Sequence, residues 1–314
     1  MKQEILFSMQ SPFRDTFQIK GYRFGQGEKC LAIVGAMRGD EIQQLYICSQ
    51  IVKQLCLLEK RGQLKLEKEI LVIPSANPFS MNIGKRFWAM DNTDINRMFP
   101  GYDQGETTQR IAAGIFKAVQ GYEYGIQMAS SYMNGEYIPH VRITQTGYED
   151  VKTGGYFGLP YICLRKPLPF DTTLLNYNWQ IWETKAYSIY AGENQEIDNA
   201  LCRRIISSIF RFMKRTGIIK NELPSTPDYN SIIFNEEELI TIKSPIAGIF
   251  YNFKKSGDEI RKGELLAQIL HPCDGSTNAE IVAPEDGVIF FNHNKSLALQ
   301  NTPLFRICAS AQYF

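Results

Sequence analysis

An arginine and a glutamate stand three residues apart in the segment GAMRGDEIQQLYICSQI, which covers residues 35–51. The run just before them, CLAIVGAM, is apolar and predicts a buried strand, whereas the run after them has apolar residues at helical spacing. Side chains three positions apart at the start of a helix lie close enough to interact. The sequence therefore predicts that Arg38 and Glu41 meet where a strand passes into a helix.

A second polar region lies between residues 79 and 105, in a loop rich in Gly, Asn, Asp and Pro. The loop is longer than an ordinary connection, and long loops in compact domains commonly carry function. We therefore expect this loop to line a binding site.

The elements that must position these residues alternate between strands and helices over the first two thirds of the chain. Strands are predicted for EILVIPSANP, YGIQMASS and AYSIYAG, and helices for ETTQRIAAGIFKAVQ and NQEIDNALCRRIISSIFRFMKRTGII. Such alternation predicts an α/β fold, with a mostly parallel or mixed sheet flanked by helices. We assign residues 1–222 to this α/β domain.

The remaining residues, 223–314, read as short strands and turns and contain an internal echo, in which SPIAGIF is answered by APEDGVIF. The echo predicts two related β units that close a small all-β barrel. The segment resembles biotinyl/lipoyl-type domains, whose carrier versions place a modifiable lysine between the halves. The matching stretch here, ILHPCDGSTNAEI, has no lysine, so we expect a structural barrel.

Composition narrows the function classes. The net charge of +1 gives no indication of nucleic-acid or membrane binding. No apolar stretch approaches the length that crosses a bilayer, and the first residues do not form a secretion signal. Seven scattered cysteines fit buried thiols in a reducing compartment. We expect a soluble cytoplasmic protein whose partner is a small molecule, with a homo-oligomer left open.

From Cys30 to Cys308 the chain resembles the succinylglutamate desuccinylase/aspartoacylase family, which belongs to the zinc carboxypeptidase clan. The most specific segment is SANPFSMNIGKRFWAMDNTDINRMFPG, which follows the family order Asn-Pro, Arg, then Asp-x-Asn-Arg-x-Phe-Pro-Gly. The resemblance implies that Arg86, Asn96 and Arg97 hold the carboxylate of a substrate and polarise its carbonyl. Their chemistry agrees, because a guanidinium matches a carboxylate bidentately and an amide adds a directional donor.

Three positions depart from the hydrolytic pattern of that family. Its His-x-x-Glu zinc pair reads RGDE here, so Arg38 stands at the histidine and only Glu41 remains. Its Asp-Leu-His segment matches GIQMASS, which places Met128 at the second histidine. Its Thr-x-Glu-x-Gly strand matches SIYAG, which places Tyr190 at the catalytic glutamate. The metal ligands and the catalytic base are thus both predicted to be replaced.

Hydrolytic zinc requires about three protein ligands, so we expect no zinc and no other cofactor. The alternative is a rebuilt zinc site that combines Glu41, His140 and a cysteine. Two functions stay open at this point. One is a degenerate member of the family that binds a carboxylate-bearing amino acid or N-acyl amino acid. The other is an active amidohydrolase that cleaves N-acyl amino acids with a rebuilt or metal-independent site.

Overall fold

The computed structural model describes residues 1–220 and 231–309. The strands are β1 (Lys2–Ser11), β2 (Arg14–Phe24), β3 (Glu28–Ala36), β4 (Lys68–Ser75), β5 (Tyr124–Met128), β6 (Glu136–Thr144), β7 (Tyr161–Arg165), β8 (Lys185–Gly192), β9 (Ile232–Asn235), β10 (Ile240–Lys243), β11 (Gly248–Asn252), β12 (Glu259–Ile260), β13 (Leu265–Leu270), β14 (Thr277–Val282), β15 (Gly287–Asn292), β16 (Leu297–Ala298) and β17 (Pro303–Ala309). The helices are α1 (Ile42–Lys60), α2 (Pro78–Asn82), α3 (Thr107–Val119), α4 (Val151–Gly154), α5 (Leu175–Ile181) and α6 (Asn199–Arg215).

The central sheet is mixed. Its middle strands β4, β3, β5 and β8 lie side by side and run parallel. On one side β2 pairs with β4 antiparallel, and on the other β6 pairs with β8 antiparallel. A branch of two further strands, β7 and β9, continues parallel from β6. The predicted mixed α/β sheet is therefore confirmed.

Strand β3 shows why the sheet carries helices on both faces. Its alternate residues belong to two different apolar cores: Leu31 and Ile33 pack with residues of α1 and α6, whereas Ala32 and Val34 pack with residues of α3 and α5. A strand covered on both faces must be apolar at every position, which is the pattern of CLAIVGAM. The helices thus fix β3, and the end of β3 is where Arg38 follows.

The C-terminal strands form two layers around one apolar core, which includes Phe250, Leu266 and Phe305. One layer is a separate four-stranded sheet in the order β14-β13-β11-β16. The other consists of β10, β12, β15 and β17, and these strands belong to the same hydrogen-bonded sheet as the α/β part. The all-β character of this region agrees with the sequence prediction.

The small barrel predicted from the sequence is joined to the α/β part by strand pairing, which the sequence did not indicate. Strand β15 pairs antiparallel with β6, with Phe291 opposite Tyr137 and Asn292 opposite Glu136. The pairing satisfies backbone groups at the end of β6 that an isolated barrel would leave open. The expected boundary between residues 222 and 223 lies outside the described residues. On the C-terminal side of it, β9 pairs with β7 of the α/β part, so the domain division stays a prediction.

Among residues 1–220 and 231–309, no helix combines the length and the apolar character needed to cross a membrane.

Candidate functional site

The site begins in the turn between β3 and α1, at the carboxyl end of the parallel strands, where open α/β sheets bind their ligands. Glu41 immediately precedes α1, and its carboxylate folds back onto the turn. Its Oε2 accepts hydrogen bonds from the backbone N–H groups of Met37 at 2.7 Å and of Arg38 at 3.0 Å. The side chain of Glu41 is almost completely buried, with 1% of the residue exposed. The turn therefore holds this carboxylate in a fixed position.

The guanidinium of Arg38 joins three segments of the chain. Its Nη1 donates to Glu41 Oε1 at 3.2 Å and to the hydroxyl of Ser130, just after β5, at 3.0 Å. Its Nη2 and Nε donate to Asp94 Oδ2 at 2.8 and 3.2 Å, which ties in the long loop. Ser130 Oγ also donates to Glu41 Oε1. Arg38 is 6% exposed, so the whole arrangement is a buried charge cluster.

In this cluster the pairing of opposite charges offsets the free-energy cost of burying them. Burial raises the pKa of Glu41 above its ordinary value, while the charge of Arg38 and the hydrogen bond from Ser130 lower it. Burial by itself would lower the pKa of Arg38, but the charges of Glu41 and Asp94 raise it above the ordinary arginine value. Buried charges persist when they are paired and hydrogen-bonded in this way. Arg38 therefore stays a cation.

Ser130, two residues after the end of β5, contacts both Arg38 and Glu41. Met128, which the sequence comparison had placed at this position, packs in the apolar core that also contains Ile126 and Ile189. Ser130 and Asp94 were both missed by sequence reasoning. The sequence could have indicated Asp94, because it is the first residue of the Asp-x-Asn-Arg order. The contact of Ser130 with Glu41 could be found only from the fold.

Tyr190 lies on β8 directly opposite His140 on β6. The two rings are stacked, with centroids 5.1 Å apart and planes at 7°. The guanidinium of Arg142 also packs over the ring of Tyr190, with its carbon 4.1 Å from the ring centroid. Tyr190 thus packs against His140 and against Arg142, which belongs to a second group of arginines.

His140 is completely buried among aromatic rings that include Tyr137 and Phe290. Its Nδ1 is 2.8 Å from the carbonyl oxygen of Ile138, to which the neutral ring donates. Burial, assisted by the positive charge of Arg142, lowers the pKa of His140 to about 3. His140 is therefore a neutral core histidine at neutral pH.

We expect this depressed pKa to make stability depend on pH. The unfolded chain takes up a proton on His140 near its ordinary pKa of about 6.5, whereas the folded protein does not until about pH 3. Stability is therefore full above about pH 6.5 and falls as the pH drops toward 3, at about 1 kcal/mol per pH unit. Urea unfolding at pH 7 and pH 5 should show that the His140→Phe variant loses less folding stability between these pH values than the wild-type protein. Equal losses in both proteins would contradict the assignment. Measurements above pH 5 avoid the protonation of Glu236, because the pKa of that carboxyl group in the folded protein is about 2.

Arg86 and Arg97 both have partners within the chain. Arg86 donates to Asp40 at 2.5 Å and to the carbonyl of Ser131 at 2.8 Å. Arg97 donates to the carbonyl of Phe170 at 3.1 Å. Their side chains keep 26% and 31% of their surface exposed, respectively. Each guanidinium is thus oriented by the protein and still reaches solvent.

Asn96 is buried at 8% exposure and is part of a chain of side-chain amides. Its Oδ1 accepts from Gln127 Nε2 at 3.0 Å, and Gln127 Oε1 accepts from Asn176 Nδ2 at 2.6 Å. Gln127 lies between Ile126 and Met128 in β5 and points to the opposite face of the sheet. The amide chain therefore fixes the orientation of Asn96 relative to the central sheet.

The side chains present do not fit a zinc site. Within the part of the chain that the structure describes, no group of three or more His, Cys, Asp or Glu side chains lies close enough together to hold a metal ion. Both oxygens of Glu41 already accept two hydrogen bonds each, and the neighbouring group is the cation of Arg38. His140 is engaged in the aromatic cluster around Tyr190.

Comparisons with known proteins agree on one family. Residues 28–165 match the sequence model of the succinylglutamate desuccinylase/aspartoacylase catalytic domain. The chain is 23% identical over 277 residues to the N-alpha-acetyl-L-2,4-diaminobutyric acid deacetylase of Halomonas elongata, an alignment that covers 84% of this chain and 77% of that protein.

Solved structures show the same fold. A succinylglutamate desuccinylase from Silicibacter sp. superimposes with a TM-score of 0.81 at 15% identity, covering 98% of this chain and 94% of that one. The product-bound ectoine utilization protein EutE (DoeB) from Ruegeria pomeroyi gives a TM-score of 0.76 at 16% identity, covering 95% and 92%. Together with the match of residues 28–165 to the catalytic-domain model, these similarities show that the chain has the fold of succinylglutamate desuccinylase/aspartoacylase proteins and resembles that family in sequence.

Proposed function

We propose that this protein is a degenerate member of the succinylglutamate desuccinylase/aspartoacylase family. It lacks zinc-dependent hydrolysis and binds a carboxylate-bearing small molecule, an amino acid or an N-acyl amino acid. The observation that carries the proposal is the guanidinium of Arg38, held between Glu41, Asp94 and Ser130. A covalently attached cation in this position neutralises the carboxylates without being able to activate a water molecule. The charge balance of a metal site is kept, and its reactivity is not.

A second feature supports the loss of hydrolysis. Zinc hydrolases need a base that takes a proton from the attacking water. Tyr190 stands where the family has its catalytic glutamate, and a tyrosine hydroxyl is a poor base near neutral pH. Glu41 cannot easily replace it, since its two oxygens carry four hydrogen bonds.

The binding part of the proposal rests on Arg86, Asn96 and Arg97. Backbone carbonyls and side chains of the protein orient all three, and the two guanidiniums remain partly exposed. Guanidinium groups that are already oriented lose little entropy when they bind a ligand carboxylate in two-point contact. We therefore infer that this protein retains the carboxylate-binding residues of the family's site and has lost the residues for hydrolysis.

Calorimetry against a panel of amino acids, N-acetyl amino acids and dicarboxylates tests this proposal. We expect at least one carboxylate to bind, and Arg97→Ala to weaken its binding by about 2 kcal/mol, roughly thirtyfold, because a charge-assisted hydrogen bond is lost. Arg110→Ala is the matched control, since Arg110 is exposed on α3 outside the loop. An affinity that is the same in the Arg97 variant and in the wild type would remove this loop from the binding site.

The second function is an active amidohydrolase with a rebuilt or metal-independent site. One observation favours it: the hydroxyl of Ser130 donates to the buried carboxylate of Glu41, so a hydroxyl and a base are in contact. The relative from Halomonas elongata is named as a deacetylase, so N-alpha-acetyl-L-2,4-diaminobutyrate is the natural assay substrate. Release of acetate that Glu41→Gln abolishes would establish the enzyme, with or without added zinc. We expect no release above the uncatalysed rate.

For the C-terminal strands we propose a biotinyl/lipoyl-type arrangement with a structural role. Its support is the repeated strand pattern and the absence of lysine between residues 269 and 281. A cytoplasmic location is likewise our proposal, and it rests on the cysteines, which form no disulfide within residues 1–220 and 231–309.

A further inference from the structure

A cavity of about 460 Å³ lies where the α/β part meets the C-terminal strands. Residues from β6, β7 and β17 line it, together with the turn at residues 236–238 that leads from β9 to β10. The apolar part of its lining includes Tyr132, Met133, Tyr137 and Leu168. The volume is within the usual range of small-molecule sites. The cavity could therefore accommodate a small organic ligand with an apolar body.

The polar part of the lining is dominated by positive charge. Glu236 accepts hydrogen bonds from Arg165 at 2.9 Å and from Arg306 at 2.7 Å, and Arg142 Nη2 lies 3.5 Å from the same carboxylate. Although burial opposes it, the charges of these three arginines hold the pKa of Glu236 at about 2. Four cationic and two anionic side chains line the cavity. Asp171, outside the lining, pairs with Arg165 at 3.0 Å, which leaves these side chains with a net charge of +1. Glu236 thus compensates only part of the positive charge.

Arg142 is the least satisfied of these arginines. Its side chain is 11% exposed, and within the described residues its Nε and Nη2 atoms have no hydrogen-bond partner. Buried N–H groups without an acceptor are rare in folded proteins and commonly indicate a partner that is not part of the chain. A guanidinium offers two such donors side by side, which is the spacing of the two oxygens of a carboxylate.

We propose that this cavity is a second ligand site, which binds a small organic carboxylate. The ligand's carboxylate pairs with Arg142, with Arg306 contributing further charge, and its apolar body lies against Tyr137 and Met133. Glu236 already shows that a planar carboxylate suits this group of arginines. The cavity adjoins the loop that carries Arg86 and Arg97, because the carbonyl of Ser131 in its lining accepts a hydrogen bond from Arg86. Its own cations, Arg142 and Arg306, belong to β6 and β17, so the proposal does not depend on the function proposed for the loop.

Benzoate is a suitable probe, because it joins a planar carboxylate to an apolar ring. We expect calorimetry to detect benzoate binding to the full chain, with benzyl alcohol not binding. Glu236→Gln removes a negative charge beside the ligand and should tighten benzoate binding at least tenfold. Lys166→Ala, at a largely exposed position of the cavity rim, should weaken it about threefold by reducing the local positive charge. Lys117→Ala, on the exposed face of α3, is the matched control and should change nothing.

The variants also separate this site from the one in the long loop. If benzoate bound only at the loop, Glu236→Gln and Lys166→Ala would both leave its affinity within twofold of the wild type, and the proposal would be overturned. Absence of benzoate binding to the wild-type protein would overturn it as well. If Glu236→Gln fails to fold, as judged by circular dichroism, the result with Lys166→Ala decides, because that side chain is 64% exposed and its loss should not disturb folding.

Discussion

Replacing Arg38 by methionine is expected to destabilise the protein by about 3–5 kcal/mol, the range for removing one partner of a buried ion pair. The substitution keeps an unbranched side chain of similar length but leaves the carboxylates of Glu41 and Asp94 without their cation. These carboxylates are almost buried, with side-chain exposures of 1% and 9%. Urea unfolding at pH 7 measures the loss. Arg61→Met, at an exposed arginine after α1, is the control and should stay within about 0.5 kcal/mol of wild type.

The pH dependence of the Arg38→Met variant identifies the cause of its instability. Burial raises the pKa of Glu41, and Arg38 is the main group that opposes this. Without Arg38, the folded pKa of Glu41 rises further above the unfolded value of about 4.3. Stability of the variant is then greatest below that value and is lost as the pH rises through the folded pKa. The difference from wild type should therefore shrink between pH 7 and pH 5. Adding Glu41→Gln should recover part of the loss at pH 7. A deficit below 1 kcal/mol at every pH would show that Arg38 does not compensate these charges.

Part of this cluster could be predicted from the sequence because its members are local. Arg38 and Glu41 are three residues apart in the turn that leads into α1, so their contact at 3.2 Å is a local one. The apolar run of β3 likewise required burial on both faces. The role of the loop was indicated by its length, and the structure brings Asp94 of that loop to Arg38.

Other features depended on contacts that no local pattern encodes. The N-terminal hairpin of β1 and β2 was not predicted, because its strands are only partly buried and their pattern is irregular. Strand β6 was likewise not predicted, and Pro139 within it lowers the expectation of a strand. Glu236 and Arg142 are 94 positions apart in the chain, so their group of charges could be found only from the fold.

The choice between Met128 and Ser130 shows the same limit on a smaller scale. Residues two apart on a strand or its extension point to the same face, so the sequence cannot tell which of them reaches Glu41. The coordinates place the hydroxyl of Ser130 in hydrogen-bond contact with Glu41 and leave Met128 in the core. A rebuilt metal site should therefore use position 130 and not position 128.

The Arg38→His/Ser130→His double variant is expected to bind zinc, which the wild-type protein should not. Both substituted positions contact Glu41, so two imidazoles and a carboxylate would converge, and tetrahedral zinc accepts this ligand set with one position open. Asp94, freed from Arg38, adds negative charge that favours the metal. Elemental analysis should give about one zinc per chain, and at a free zinc concentration one hundred times Kd the metal should stabilise the fold by about 2.7 kcal/mol.

The Arg38→His/Met128→His variant is the matched control, because Met128 lies in the apolar core, and it should bind zinc much more weakly. Equal zinc uptake by both double variants would contradict the position assigned to Ser130. Zinc alone should not restore hydrolysis of N-acetyl amino acids, since the metal-bound water still needs a base, and Tyr190→Glu supplies one at the position matched by the family's glutamate. Tyr190 stacks on His140 and lies under Arg142, so the new carboxylate would have a guanidinium beside it. That neighbour should hold the pKa of the new carboxylate low and make it a weaker base. We therefore expect hydrolysis by the triple variant to be detectable but slow, and to increase when Arg142→Met removes the charge.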